Sequence, residues 1–299
     1  MRSDFRCGYV ALVGRPNVGK STLLNRMLGQ KISITSRRPQ TTRHRVLGIK
    51  THAAAQLVYV DTPGIHEYSG RAMNRHMNRT ASNVLRDVDV VVFLVDGLKW
   101  TPDDDLVLKK LDSIDRPVIL AVNKIDQLAS RDALLPWLQV LSGKRAFQQV
   151  IPVSAMKGDN ITALEDAIET LLPQAPPMFP EDQVTDRPVR FLAAELVREK
   201  LFRKLGREVP YGLTVEIEEF RSEHDVTHIH ALIWVERNSQ KKIVIGRQGR
   251  VLKEVGIEAR QDIEALIEGK VNLKLWVKIK EGWADDERAL RSLGYTLDE

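Results

Sequence analysis

The sequence predicts two folded units of different class: an α/β domain on a mostly parallel sheet covered by helices, then a smaller α+β domain. Three observations carry this. Short apolar β-rich runs alternate with helical patterns through residue 172. Five of the 13 prolines then fall in the 16 residues 173–188, PQAPPMFPEDQVTDRP. Beyond them the pattern changes to one helix, two strands, helices and a last strand. A chain of 299 residues is long enough to bury two cores.

In the first domain Tyr9–Val13, Gln56–Val60, Val88–Val95, Val118–Val122 and Val150–Val153 read as strands. Helical patterns over Ser21–Leu28, Ala72–Leu85, Asp103–Leu111 and Ile161–Leu172 separate most of them. Alternation of this kind gives parallel strands with helices on both faces, and ligands bind beyond the carboxyl ends of such strands. Arg45–Lys50 is expected to add an antiparallel edge strand. Proline at the density of 173–188 neither continues a helix nor fills a central strand, so that stretch reads as a linker between domains 1–172 and 189–299. The second domain opens with a helix, Val189–Leu205, followed by strands Leu213–Glu219 and Val226–Glu236. Helices flank Gly246–Gly249 and a strand covers Val271–Ile279. Leu252, Val255, Ala259, Ile263 and Leu266 recur at helical spacing and predict one buried face, with Gly256 as an expected break.

Cys7 is the only cysteine, so no internal disulfide forms, and its place at the start of a strand predicts a small buried group. No apolar run approaches the ~18 residues of a membrane span, and the N-terminal apolar run leads directly into a glycine-rich loop. The expectation is a soluble cytoplasmic protein. The formal charge of +5 is uneven. Residues 1–172 hold 24 Lys/Arg against 17 Asp/Glu, a net +7, and residues 173–299 hold 21 against 23, a net −2. Nucleic-acid binding by the second domain therefore needs a local basic patch.

Four motifs carry the chemistry of the first domain. Gly14, Arg15, Pro16, Asn17, Val18, Gly19, Lys20 and Ser21 form GxxxxGKS between a strand and a helix, with Thr22 next. Backbone N–H groups of such a loop wrap phosphates at a helix N-terminus. Lys20 is assigned to the β- and γ-phosphates and Ser21 to Mg²⁺. Asp61, Thr62, Pro63 and Gly64 follow the strand QLVYV. There a carboxylate reaches Mg²⁺ and the Gly64 N–H meets the γ-phosphate, although Asp, Pro and Gly also make an ordinary β-turn.

The third motif selects the base. In Asn123-Lys124-Ile125-Asp126, at the end of the strand PVILAV, the Asp126 carboxylate accepts from both adjacent donors of guanine and repels the ring acceptor of adenine. Asn123 and Lys124 are expected to tie loops together and cover the ring. Ser154 and Ala155 end the next strand, where the Ala155 N–H is assigned to the guanine carbonyl. Between the first two motifs lies the basic, threonine-rich stretch Ser33–Arg45, with the composition of a switch loop. Thr42 is chosen to close on Mg²⁺, with Thr41 as rival, so that Lys20, Thr42 and Gly64 meet the γ-phosphate. A solvated basic loop is the plain alternative.

Together GRPNVGKS, QTTRH, DTPG, NKID and VSA resemble the translation-factor class of small GTPases, and most closely the bacterial Era family. The residue after DTPG is Ile65, where Ras-type enzymes carry the glutamine that orients water. Related GTPases with such a substitution use a potassium ion held partly by the P-loop asparagine, here Asn17, so K⁺ joins Mg²⁺ as an expected cofactor.

In the second domain Gly246, Arg247, Gln248 and Gly249 form a GxxG between helical patterns. Lys241, Lys242, Arg247, Arg250 and Lys253 surround it without an acidic residue from Ser239 to Lys253. Such a loop lets a polynucleotide backbone approach, although GxxG is also an ordinary helix–turn–helix corner. The order α-β-β-α-α-β is that of a type II KH domain, and the segment is similar to the KH domain of Era proteins. The tail from Gly282 to Tyr295 resembles their C-terminal signature. His224, His228 and His230 match no common zinc spacing and read as packed or exposed side chains. Arg198, Lys200, Arg203, Lys204 and Arg207 read as a solvated helix face with a minor chance of RNA or lipid contact. Trp276 and Trp283 read as packing residues, and Asp285, Asp286 and Glu287 as favouring a helix N-terminus.

The resemblance implies a monomeric cytoplasmic GTPase with GTP and GDP as ligands. It further implies that the KH domain binds the 3′ end of 16S ribosomal RNA, that the protein acts in assembly of the 30S subunit, and that it touches the membrane peripherally. Rival readings are a signalling GTPase whose second domain binds protein, and a metabolic P-loop kinase, which NKID disfavours.

Overall fold

Strands that are apolar on both faces require a sheet covered on both sides. A computed structural model of the protein, describing residues 4–65, 72–97, 99–128, 130, 132, 134–206, 209–293 and 295, has one. The chain forms two compact units: residues 1–33, 42–69 and 74–186, and residues 34–41, 70–73 and 187–299.

In the first unit the elements are β1 (Arg6–Val13), α1 (Lys20–Leu28), β2 (Val46–Thr51), β3 (Ala55–Asp61), α2 (Ala72–Val84) and β4 (Val90–Asp96). There follow α3 (Pro102–Leu111), β5 (Val118–Asn123), α4 (Leu134–Ser142), β6 (Gln149–Pro152) and α5 (Ile161–Leu171). The strand order is β2-β3-β1-β4-β5-β6, parallel except for the antiparallel β2-β3 pair at one edge. Every residue of β3, β4 and β5 is buried, which matches their unbroken apolar runs. Cys7 is fully buried, and burial pushes its thiol pKa up. The crossover order brings the ends of β1, β3, β4 and β5 side by side, which positions the motif loops.

The proline-rich stretch up to Asp186 groups with this unit. Val184 O accepts from the Ile49 N–H at 2.8 Å and Asp186 Oδ1 from the Leu47 N–H at 3.1 Å. These contacts occupy the outer edge of β2, an edge otherwise open to pairing with other chains. The Gln56 side chain takes the Met178 and Phe179 N–H groups at 2.7 and 2.9 Å.

The second unit contains α6 (Val189–Lys204), β7 (Leu213–Glu223), β8 (Val226–Val235), α7 (Asn238–Ile245), α8 (Arg250–Ile267), β9 (Lys270–Ile279) and α9 (Glu287–Ser292). The sheet order is β7-β8-β9, antiparallel then parallel, so the α-β-β-α-α-β order holds. Val255, Ala259 and Ile263 of α8 are fully buried against this sheet's core, as their spacing predicts.

Three expectations for this unit are corrected. Gly256 does not break α8, because burial of the flanking apolar face outweighs the ~1 kcal/mol cost of an interior glycine. The basic group of α6 is only in part a solvated face: Arg203 is exposed, but Arg198 and Lys200 are buried. Arg198 is 1% exposed and 2.6 Å from Glu195, while Lys200 lies 2.6 Å from Asp262 and Arg203 3.0 Å from Glu199. Lys204 reaches Glu254 and Glu258 at 3.1 and 2.7 Å; Arg207 lies outside the described residues. Acidic partners from α8 are separated from α6 by some 50 residues, so sequence charge alone hides the pairing. Trp283 is fully buried, but Trp276 is 43% exposed on the outer sheet face, where His230 meets its ring edge at 5.0 Å. His230 is paired to Glu219 at 2.7 Å and His228 is 3.2 Å from Asn272. Asp286 caps α9 by accepting from the Arg288 N–H at 2.9 Å; Gly294 of the tail lies outside the described residues.

Candidate functional site

The loop from Gly14 to Gly19 turns from the end of β1 into the first turn of α1. Gly19 stands at φ 106°, and a Cβ there would meet Asn123 Nδ2 at 2.3 Å, so only glycine fits. Asn17 also has positive φ, at 66°, and its side chain is exposed. Pro16 is half-buried, Val18 is fully buried beneath the loop, and Thr22 is half-buried on α1. Lys20 is 6% exposed, and its Nζ donates to Gly14 O at 2.9 Å and Arg15 O at 3.0 Å. Burial lowers its pKa to about 8, with Arg15 adding to the fall and Asp61 opposing it. An anion bound at this ammonium favours the charged form again.

The end of β3 faces the start of α1. Asp61 is fully buried, and its Oδ2 accepts from Ser21 Oγ and Ser33 Oγ, each at 2.7 Å. Its Oδ1 is buried without a hydrogen-bond partner among the described residues. Burial raises the Asp61 pKa, partly offset by Ser21, Lys20 and Ser33. Thr42 Oγ1 is 2.8 Å from Ser21 Oγ, while Thr41 Oγ1 instead contacts Ser36 Oγ and Arg38 O, both at 2.8 Å. One carboxylate with an unused oxygen, beside two hydroxyls, is the hard donor set that a phosphate-bound Mg²⁺ takes. Ser33 was not singled out in the sequence. It is held by Asn25, which accepts from the Ser33 N–H at 3.0 Å, and a lone serine eight residues beyond Asn25 gives no motif signal.

Thr62 is fixed by its hydroxyl to Leu12 O at 2.9 Å. Pro63 and Gly64 are buried, and Gly64 packs on the phosphate loop so closely that a Cβ would lie 2.6 Å from Pro16 N. Ile65 is fully buried and donates its N–H to Gly14 O at 3.3 Å. Residues 66–71 lie outside the described residues.

At the base end, Asn123 does what its position at the end of β5 predicts. Its Nδ2 donates to Val18 O at 2.7 Å and its Oδ1 accepts from the Ala155 N–H at 2.9 Å. That N–H, assigned from sequence to the guanine carbonyl, is thus given to Asn123, which joins three loops at once. Ser154 Oγ donates to Asp126 Oδ1 at 2.6 Å and orients the exposed carboxylate. Lys124 is paired to Asp96 at 2.7 Å. The predicted phosphate, metal and base residues therefore converge along the carboxyl ends of β1, β3 and β5.

In the second unit the loop between α7 and α8 carries Gly246 at φ 74°, Gln248 at 51° and Gly249 at 75°. Arg247 and Gln248 sit at its tip, while Arg250 pairs with Glu254 at 3.0 Å. Lys241 is half-buried and Lys242 exposed on α7. Beside the loop a cavity of about 400 Å³ opens between α8 and β9. Its apolar wall is Leu252, Ile257, Leu273 and Leu275, and Lys253 and Arg260 supply positive charge. The β9 residues and Arg260 were not predicted, since only folding brings them to the glycine loop. Gly256 now has a place: without a side chain it keeps this wall open, with Leu275 3.5 Å from where its Cβ would stand.

Comparison with known proteins gives a family match for each part of the chain. Residues 9–124 match the family model of the 50S ribosome-binding GTPase, and residues 208–284 that of the KH domain. The chain is 59% identical over 290 residues to GTPase Era of Pseudomonas fluorescens, covering 97% of each protein. It is 58% identical over 293 residues to GTPase Era of Azotobacter vinelandii, covering 98% of each. A crystal structure of Era in complex with MgGDPNP and nucleotides 1506–1542 of 16S ribosomal RNA superposes with a TM-score of 0.95 at 40% identity, covering 98% of this chain and 100% of that one. A variant of Aquifex aeolicus Era bound to GDP and aluminium fluoride gives 0.94 at 39% identity, with the same coverage. Identity at this level over almost the whole length of both chains places this protein in the Era family of GTPases.

Proposed function

We propose that this GTPase is a nucleotide-controlled RNA-binding factor for the small ribosomal subunit. Residues 1–172 serve as its G domain, 173–188 as linker and 189–299 as RNA-binding module. The observation that carries the reading is the basic-edged apolar groove beside the GxxG loop, in a chain so similar to an Era solved with 16S ribosomal RNA. Base faces can pack on the aliphatic wall, and the glycine loop with Arg247, Lys253 and Arg260 takes phosphates, which suits about four single-stranded nucleotides. The ligand we infer is the 3′ end of 16S ribosomal RNA in the 30S subunit. The full chain is expected to retain that RNA from cell extract, more strongly with a non-hydrolysable GTP analogue than with GDP. Sequencing of the co-purified RNA checks this, and recovery of protein alone would point to the signalling alternative.

In the G domain we assign Lys20 to the β- and γ-phosphates, and Ser21, Thr42 and Asp61 to Mg²⁺. The unused Asp61 oxygen and the Ser21–Thr42 contact support that set. When bound, the ion neutralises charge on the β- and γ-phosphate oxygens. Asp126 accepts from guanine, Lys124 covers its ring, and the Gly64 N–H meets the γ-phosphate. The Ile65 side chain cannot hydrogen-bond water, so backbone groups, another side chain or a partner must place it, and slow intrinsic turnover is expected.

We propose that Asn17 holds a potassium ion beside the phosphates, supported by its exposed, left-handed place in the loop. A cation preorganised near the γ-phosphate stabilises developing charge, so hydrolysis is expected to run at least about tenfold faster in K⁺ than in Na⁺. Equal rates in the two salts reject the assignment. We place the protein in the cytoplasm as a monomer; among the described residues no helix is long and apolar enough to cross a membrane. A peripheral membrane contact gains no support from Arg198, Lys200, Arg203 and Lys204 of α6, which are ion-paired.

A further inference from the structure

Asp96 ends β4 in register with Asn123 of β5, so its carboxylate rises beside the following residue, Lys124. Lys124 stands in the left-handed region at φ 69°, a conformation unfavourable for a residue with a Cβ. Its ammonium lies 2.7 Å from Asp96 Oδ2. The same oxygen is 3.5 Å from Arg15 Nη2. Arg15 is in turn anchored, donating from Nε to Asp104 Oδ2 at 3.0 Å. Asp104 is fully buried and closes the capping box of α3, accepting from the Thr101 N–H and hydroxyl, each at 2.9 Å. Asp96 and Arg15 are 4% and 8% exposed. The Arg15 Nη2–Asp96 contact is one of charge without a hydrogen bond, so Asp104 fixes Arg15, Asp96 fixes Lys124, and charge couples the two buried groups before any nucleotide arrives. Asp96 joins a phosphate-loop residue to a base-loop residue and Asp104 anchors the first of them, and neither carboxylate belongs to a nucleotide motif.

We propose that Asp96 is a positioning residue for guanine recognition. It holds Lys124 in its strained pose against the face of the base and, through Arg15, locks that lysine to the phosphate loop. A lysine without this partner samples many rotamers, and the entropy of ordering it falls on each binding event. The inference rests on Lys124 covering the ring.

The test uses the full chain and a fluorescent GDP analogue. Asp96→Asn keeps the side-chain shape and removes the charge. It is expected to speed nucleotide release about tenfold and to raise the KM for GTP by a similar factor, with kcat within about twofold. Lys124→Ala is expected to speed release comparably, and the double variant is expected to release no faster than Lys124→Ala alone, since both act through one contact. Unchanged release in Asp96→Asn overturns the proposal, as does a double variant whose effects multiply, or a fall in kcat at constant KM. Unchanged release in Lys124→Ala overturns the base-covering assignment itself, and the proposal with it. If Asp96→Asn fails to fold, Arg15→Gln supplies the measurement: it detaches Asp96 from the phosphate loop but leaves the Asp96–Lys124 pair. It is expected to speed release about threefold, and no change there overturns the proposal.

Discussion

An Asp126→Asn variant is expected to bind GTP at least about a hundredfold more weakly and to prefer xanthosine triphosphate. One charge-assisted hydrogen bond to guanine is replaced by opposed donors and the other falls to a neutral bond, together a loss of about 3 kcal/mol or more, and about 1.4 kcal/mol is a factor of ten. Asparagine turns one acceptor into an amine donor, which opposes the guanine amino group but complements the carbonyl that xanthine carries there. Ser154, 2.6 Å from Asp126 Oδ1, has a hydroxyl able to satisfy the amide oxygen equally well, so the loop itself is expected to survive. Asp126 is exposed and lies outside the buried strand core, and surface substitutions of this kind leave the fold intact. Competition titration of GTP, xanthosine triphosphate and ATP measures the change. Retained GTP selectivity would contradict base recognition by this carboxylate.

Legibility in the sequence followed one physical rule: what depends on neighbours in the chain was visible, and what depends on neighbours in space was not. Strands β3, β4 and β5 were plain because residues buried on both faces leave an unbroken apolar run. The phosphate loop and NKID were plain because the nucleotide must be gripped by consecutive backbone and side-chain groups. Helix α4 was missed. Pro136 punctuates its sequence, yet it falls in the first turn, where the absent N–H has no helical partner to lose.

Charges were the hardest to read. Lys200 finds Asp262, and Lys204 finds Glu254 and Glu258, across α6 and α8, so a run of basic residues that looks solvated is an internal ion-pair array. Asp96 and Asp104 appear in the sequence as an ordinary strand end and a helix first turn. Their role toward Arg15 and Lys124 exists only once β4 lies beside β5. Trp276 erred in the opposite direction: its alternating strand position places it on the exposed face, although its size suggested a core.

Replacing both Gly246 and Gly249 by aspartate is expected to weaken RNA binding by about two orders of magnitude while leaving GTP hydrolysis unchanged. The two positions contribute differently. At Gly246 the backbone is left-handed, at φ 74°, and a Cβ would stand 2.5 Å from Val251 Cγ2, so substitution pushes the loop off the start of α8. At Gly249 nothing lies within 4 Å of a Cβ. An aspartate there costs about 1–2 kcal/mol of left-handed strain and otherwise adds only a charge. That charge sits at the N-terminus of α8, beside Lys253 and Arg260 of the groove, where it both repels phosphates and competes for the cations that bind them. Phosphate contacts dominate affinity for nucleic acid and weaken with salt. The single Gly249→Asp variant is therefore expected to lose about tenfold in RNA affinity with a reduced salt dependence, and to melt only a few degrees lower, as about 1–2 kcal/mol of strain implies. Fluorescence anisotropy with a 3′ fragment of 16S ribosomal RNA, from low to physiological salt, separates the charge effect from the packing effect. Undiminished RNA affinity in the double variant would mean that the glycine loop does not touch the ligand, and the groove between α8 and β9 would lose its claim to be the binding site.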